Sequence, residues 1–208
     1  MARAFAEIAF TPAVLAAQRR MGSADQYAAF LQPDLDEASL LTEREAAFIA
    51  ARDGFFQATV SSDGWPYVQF RGGPAGFLKA IDARTLAYAD FRGNRQYLSV
   101  GNLAGNDRIA LILVDQRARR RLKIWGRARL VEAADDPALV ARLHDPDYRA
   151  RPERAVVIDV AAFDWNCPQH IVPRLTLAEI EAEIAPLRAE LDRLRAENAR
   201  LRAAPLPA

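Results

Sequence analysis

From Phe55 onward the chain breaks into short segments rich in aromatic and β-branched residues, separated by turn signals, and this rhythm limits the fold more than any other feature. Segments of this length and spacing belong to a small barrel or sandwich. Residues 55–61 and 65–71 flank Ser62-Asp63-Gly64 and predict a hairpin. Residues 76–82 and 85–90 predict a second, turning at Ala83-Arg84, and residues 94–103 read as a short helix. Strand 108–115 then leads through another hairpin into strand 121–132, a helix over 137–143 and a strand over 155–160. The expected class is mainly β with flanking helices (α+β), a barrel of about six or seven strands.

The ends differ in kind from this middle. Thr11 with Pro12 can cap and start a helix that Gly22 stops. Residues 31–39 read as a loop, and Thr42-Glu-Arg-Glu45 is a capping box for a helix that buries Phe48 and Ile49 and ends at Gly54. At the C-terminus, Leu177, Ile184, Leu191 and Asn198 repeat every seven residues, and so do Ile180, Leu187, Leu194 and Leu201. These are the a and d positions of a coiled coil, with Glu183, Glu190 and Glu197 at g facing Arg188, Arg195 and Arg202 at e of a parallel partner. A single amphipathic helix lying on its own barrel would also need the apolar stripe, but not the matched charges. Pro186 would kink such a helix or mark a new start. The expected division is a helical segment at 1–54, a barrel at 55–175 and a heptad helix at 176–208.

Composition narrows the partners. A formal charge of +1 gives no global field for nucleic acid or an anionic membrane. Lys79 and Lys123 are the lysines among 28 basic residues, a bias that reads as coding background. The lone Cys167 excludes an intrachain disulfide framework and suits a reducing cytoplasm. No apolar run is long enough to span a bilayer, and the first residues lack a cleavable-signal pattern, so a cytoplasmic protein is expected.

Three elements in one order could bind an anion. Phe70-Arg71-Gly72-Gly73 follows the second strand with a turn where backbone can approach a ligand, Lys79 lies in the next strand, and Asn94, Arg95 and Gln96 stand at an expected helix start. Separately each is ordinary: a basic strand end is a solvated charge, and Gly-Gly marks a turn. Together they suit a phosphate monoester. Cys167 and His170 stand three apart in a proline-interrupted loop, which is poor geometry for a nucleophile and base and reads as a buried inert thiol and a loop histidine. Two histidines and no carboxylates at ligand spacing leave no metal site.

The segments SDGWPYVQFRGGPAGFLKAID, YADFRGNRQYLSVGNLAGNDRIAL, RRLKIWGRARLVE and FDWNCPQHIVPR resemble the pyridoxamine 5'-phosphate oxidase-like family, the FMN-binding split β-barrels. The likeness runs over about residues 5–174. It implies a homodimer with FMN at the subunit interface, a small-molecule substrate, and no nucleic acid or membrane partner. Carried over by position, Lys79, Arg95 and Gln96 fall at the family's basic phosphate positions, Gln96 standing where a lysine is common. Gln69, Phe70 and Arg71 fall beside the ribityl and ring, and Arg121 at a polar cofactor contact. Trp165, with Asn166 and Gln169, would complete the pocket from the second chain, and Asp90 would either accept from a ribityl hydroxyl or close its strand. The family's arginine-containing tail is not matched, which speaks against pyridoxine-phosphate chemistry. The resemblance thus implies an FMN-dependent oxidoreductase, with a flavin-binding or sensory module as the alternative and a deazaflavin or haem barrel as a third reading, haem being disfavoured by the few histidines.

Overall fold

The computed structural model describes residues 3–32, 40–166 and 168–203. The N-terminal helices are α1 (Arg3–Ala9), α2 (Pro12–Arg20), α3 (Ala24–Ala28) and α4 (Glu43–Ala50), with a 3-10 turn at Ala29–Leu31. Thr11 caps α2 through the Val14 amide, and Gly22 beyond its end takes a left-handed φ of 73°. Most of the loop expected over 31–39 lies outside the described residues.

The capping box of α4 forms as its sequence predicts. The Thr42 amide donates to Glu45 Oε2 at 3.1 Å, the Thr42 hydroxyl donates to the same oxygen, and the Arg44 amide donates to Thr42 Oγ1 at 3.3 Å. Glu45 Oε1 accepts the Trp165 indole N–H at 2.7 Å, so one buried carboxylate ties α4 to the end of the last strand. Burial pushes the Glu45 carboxyl up, but the hydrogen bonds from Thr42 and Trp165 outweigh it and leave its pKa below the ordinary value. A group depressed in this way stabilises the fold fully above its unfolded pKa of about 4.3, and that contribution is lost as pH falls through the folded value. Thermal unfolding of the native chain and Glu45→Gln should therefore show a gap in Tm that is constant above about pH 5 and shrinks below about pH 4; a gap that widens in acid would reverse the assignment.

The strands are β1 (Gly54–Val60), β2 (Pro66–Gly72), β3 (Lys79–Ala80), β4 (Thr85–Phe91), β5 (Arg108–Asp115), β6 (Arg120–Glu132) and β7 (Pro152–Asn166). They form one antiparallel sheet in the order β2-β1-β5-β6-β7-β4-β3. Helix α5 (Leu98–Gly105) crosses from β4 to β5, α6 (Pro137–Leu143) precedes β7, and α7 (Leu177–Ala203) follows it. β2 and β4 lie near opposite ends of the sheet and are not paired, yet Arg71 on β2 reaches Asp90 on β4 at 2.6 Å. The sheet therefore rolls until its ends meet without joining, which is a split barrel.

Strand alternation sorts side chains between inside and outside. Phe55, Gln57 and Thr59 of β1 and Ile109, Leu111 and Leu113 of β5 are buried. Phe55, Phe77 and Tyr88 pack ring to ring inside, with centroids 5.4 to 6.3 Å apart. Burial raises the Tyr88 phenol above its ordinary pKa, so it stays protonated and donates to Gln57 Oε1 across the interior. Val140 and Leu143 of α6 cover Ala87, Ala89, Ala155 and Val157. Outside, Phe5 of α1 stacks on Trp125 at 4.5 Å. The β6–β7 register shifts at Trp125/Gly126, where a Cβ on Gly126 would meet the Asp159 carbonyl oxygen at 2.6 Å, so only glycine fits this bulge.

Three expectations need correction. β3 spans only Lys79–Ala80 rather than 76–82, because the segment before it turns through Gly76 at φ 79°. The helix expected over 94–103 begins at Leu98, because Arg95 and Tyr97 take left-handed φ values of 64° and 54° that no α-helix contains. β7 runs well beyond 155–160 at both ends, held by a ladder with the long β6.

Candidate functional site

The inward residues of β2, the end of β4, the loop it feeds and the start of α5 enclose one cleft of about 530 Å³. That is ample for a small ligand. Strand alternation turns Gln69 and Arg71 toward it, opposite Gln57 and Phe55 of β1. Its floor is a chain of charges. Arg71 Nη1 donates to Asp90 Oδ1 at 2.6 Å, Arg154 Nη1 donates to Asp90 Oδ2 at 2.9 Å, and Arg154 Nε donates to Glu132 Oε1 at 2.9 Å. Burial would lower the Arg154 pKa, but its hydrogen bonds to Glu132 and Asp90 outweigh it and raise the value. Arg154 also lies over the Tyr97 ring at 5.3 Å, while the Tyr97 hydroxyl donates to Glu153 Oε1 at 3.2 Å. Asp90 and Arg154 are thus each held by more than one partner.

The mouth of the cleft is less satisfied. Arg95 is exposed on a left-handed turn and has no ion-pair partner among the described residues. Asn94 Oδ1 accepts the Gln96 amide at 3.2 Å, tightening that turn. Among the described residues no side chain caps α5, and its first residues Leu98, Ser99 and Val100 line the cleft. A helix start leaves amide N–H groups without intrahelical partners and carries partial positive charge. The Ser99 hydroxyl donates to Gln69 Oε1 at 2.7 Å and joins α5 to β2. An unpaired guanidinium and an uncapped helix start facing one cavity are what a phosphate-bearing ligand needs.

Residues 41–165 match the pyridoxamine 5'-phosphate oxidase family, well over half of the 208-residue chain. This chain belongs to that family. No curated protein matches it. Among solved structures, Group A Streptococcus HupZ is 16% identical with a TM-score of 0.46, covering 65% of this chain and 100% of its own. A putative pyridoxamine 5'-phosphate oxidase from Lactobacillus delbrueckii is 20% identical with a TM-score of 0.46, covering 61% and 94%. An FMN-binding protein from Syntrophomonas wolfei is 12% identical with a TM-score of 0.48, covering 72% and 97%.

Against this family's expected contacts, Gln69, Phe70, Arg71, Asp90, Asn94, Arg95 and Gln96 all line the cleft. Phe70 does so only at the rim, because its ring packs edge-on against Phe56 outside the barrel at 5.4 Å. Lys79 lies elsewhere in its own chain, its ammonium donating to the Gly76 carbonyl at 3.3 Å. Arg121 stands on β6 opposite Asn166, with its buried Nε unpartnered among the described residues. Trp165 is turned to Glu45 and Phe48, with the guanidinium groups of Arg44 and Arg120 within 4.6 Å of its ring centre. Gln169 is exposed in the turn after β7; the Asn166 side chain and Cys167 lie outside the described residues.

Sequence reasoning missed Ser99, Tyr97 and Arg154. Placing the helix start at Leu98 would have found Ser99. Nothing local marks Arg154, whose partner Asp90 is 64 residues away.

Proposed function

We propose that the cleft holds flavin mononucleotide, with its phosphate at Arg95 and the start of α5, and that the chain is an FMN-dependent oxidoreductase acting on a small molecule. The observation that carries this reading is Arg95, without an ion pair among the described residues, meeting a helix start that none of their side chains caps, in one cleft of a pyridoxamine 5'-phosphate oxidase family member. The bound flavin would supply reversible electron transfer, and the protein's task is to bind and orient it. Arg95, Ser99 and the first amides of α5 would take the phosphate oxygens. Arg71, held by Asp90, would add a second fixed positive charge, and Gln69, held by Ser99, would present its amide to polar groups of the cofactor.

A second copy of the chain would complete the site. Phe56, Val68, Phe70 and Ile112 form an exposed apolar patch on the outer face of β1, β2 and β5, and Phe70 also belongs to the rim of the cleft. A homodimer through that patch would cover apolar surface and close the cleft to water in one step. Titration of the purified protein with FMN and with riboflavin, followed by flavin fluorescence, tests the reading. FMN should bind about 100-fold more tightly or better, since hydrogen bonds to charged groups contribute roughly 1.5–3 kcal/mol each. Equal affinities would remove the phosphate assignment, and uptake of neither would remove the flavin.

A further inference from the structure

Helix α7 is unbroken through Pro186, which stands at heptad position c, away from the a and d seam. Ala182, whose carbonyl loses its intrahelical donor at Pro186, is exposed, and the helix continues. Most of the seam is uncovered: Leu177, Leu187 and Leu201 are 69 to 86% exposed, and of the seam leucines and isoleucines Ile184 alone, near the Arg117 contact, is half-buried. The helix touches its own barrel by charge at its beginning, where Arg117 in the β5–β6 turn reaches Glu179 at 3.6 Å and Glu183 at 2.7 Å. Twenty-seven residues of helix with an uncovered apolar seam need a partner.

We infer that α7 pairs in parallel with α7 of a second copy, on the same two-fold axis as the barrel dimer, so that the tail clasps one dimer and does not join two. The inference rests on the proposed barrel dimer but not on the flavin. Charge fixes the orientation. In a parallel pair g meets e, so Glu183, Glu190 and Glu197 face Arg188, Arg195 and Arg202 of the other copy; in an antiparallel pair g meets g and e meets e, and like charges meet. Asn198 at position a also favours two strands in one register.

Position fixes the axis. Paired helices lie about 8–10 Å apart, so the first turns of α7, which Arg117 of the same barrel touches at Glu179 and Glu183, lie close to the two-fold of the coil. Leu175 and Thr176, just before α7, wall the same depression as Phe56, Phe70 and Ile112 of the apolar patch. The coil therefore starts beside the surface proposed to meet its own symmetry copy. One axis serves both contacts.

The test is oxidation of full-length Leu191→Cys in a Cys167→Ser background, with native mass from light scattering. Near-complete disulfide formation in a species of two chains is expected, because a parallel seam sets position 191 against itself. Absence of the cross-link, or a native mass of four chains, would overturn the inference. As a second arm, Glu190→Arg with Glu197→Arg should raise the dimer dissociation constant at least about tenfold, and adding Arg195→Glu with Arg202→Glu should restore it; failure of that rescue would also count against the pairing. FMN content is read in the same samples. A cross-linked dimer that takes up no FMN overturns the flavin and leaves the clasp standing, whereas a two-chain species with FMN and no cross-link overturns the clasp alone.

Discussion

Replacing Asp90 with alanine is expected to cost about 3–5 kcal/mol of stability, the range for breaking a buried ion pair by removing one partner. The Asp90 side chain is 5% exposed and binds two guanidinium groups, Arg71 at 2.6 Å and Arg154 at 2.9 Å. Without it, Arg154 keeps Glu132, but Arg71 is left without an ion pair among the described residues at the place where β2 meets β4. Strand and barrel closure are lost together, since no backbone ladder joins those two strands. Urea unfolding of the native chain and Asp90→Ala measures the difference. A cost below about 1 kcal/mol would put the cluster in the class of surface pairs, where Arg117 and Glu183, each about half exposed, belong.

The parts of the fold that were legible in sequence are those whose cause is local. The Ser62-Asp63-Gly64 turn sets the β1–β2 register, Thr42 and Glu45 cap α4, and Pro137 opens α6 over its expected span. The parts that were not legible depend on distant chain. β7 extends from 152 to 166 because thirteen-residue β6 offers it a full ladder, and nothing within the Ala161-Ala162 stretch announces a strand. Residues 94–97 read as a helix start, whereas the chain turns left-handed twice there and brings Arg95 to the cleft. The site shows the same division. Nearby glycines and order along the chain point to Arg71 and Arg95, which line the cleft, while the Asp90–Arg154 pair is made by β4 lying beside β7.

Lys79 shows where order along the chain and place in the fold diverge. It follows the glycine turn as a phosphate-binding lysine would, but Gly76 and the two-residue β3 hold it on the strand beyond the cleft, against the Gly76 carbonyl. Arg71, the last inward side chain of β2, lines the cleft that Lys79 does not reach in its own chain.

The charges that line the cleft give the second large effect. Arg95→Asn should weaken FMN binding by about 10- to 100-fold, the equivalent of one charged hydrogen bond, while leaving the melting temperature unchanged. Asparagine is the informative replacement because Arg95 sits at φ 64°, which asparagine tolerates, so the turn is kept and only the charge leaves. Arg71→Gln in the same chain should bring the loss to about 10²- to 10⁴-fold and lower stability as well, because Arg71 both faces the cleft and closes the barrel. Lys79→Ala should stay within about threefold of the native affinity. Flavin fluorescence titrations of the three variants decide among these roles. If Lys79→Ala releases the cofactor and Arg95→Asn does not, the phosphate lies on the β3 side, and the cleft between β2 and α5 serves another part of the ligand.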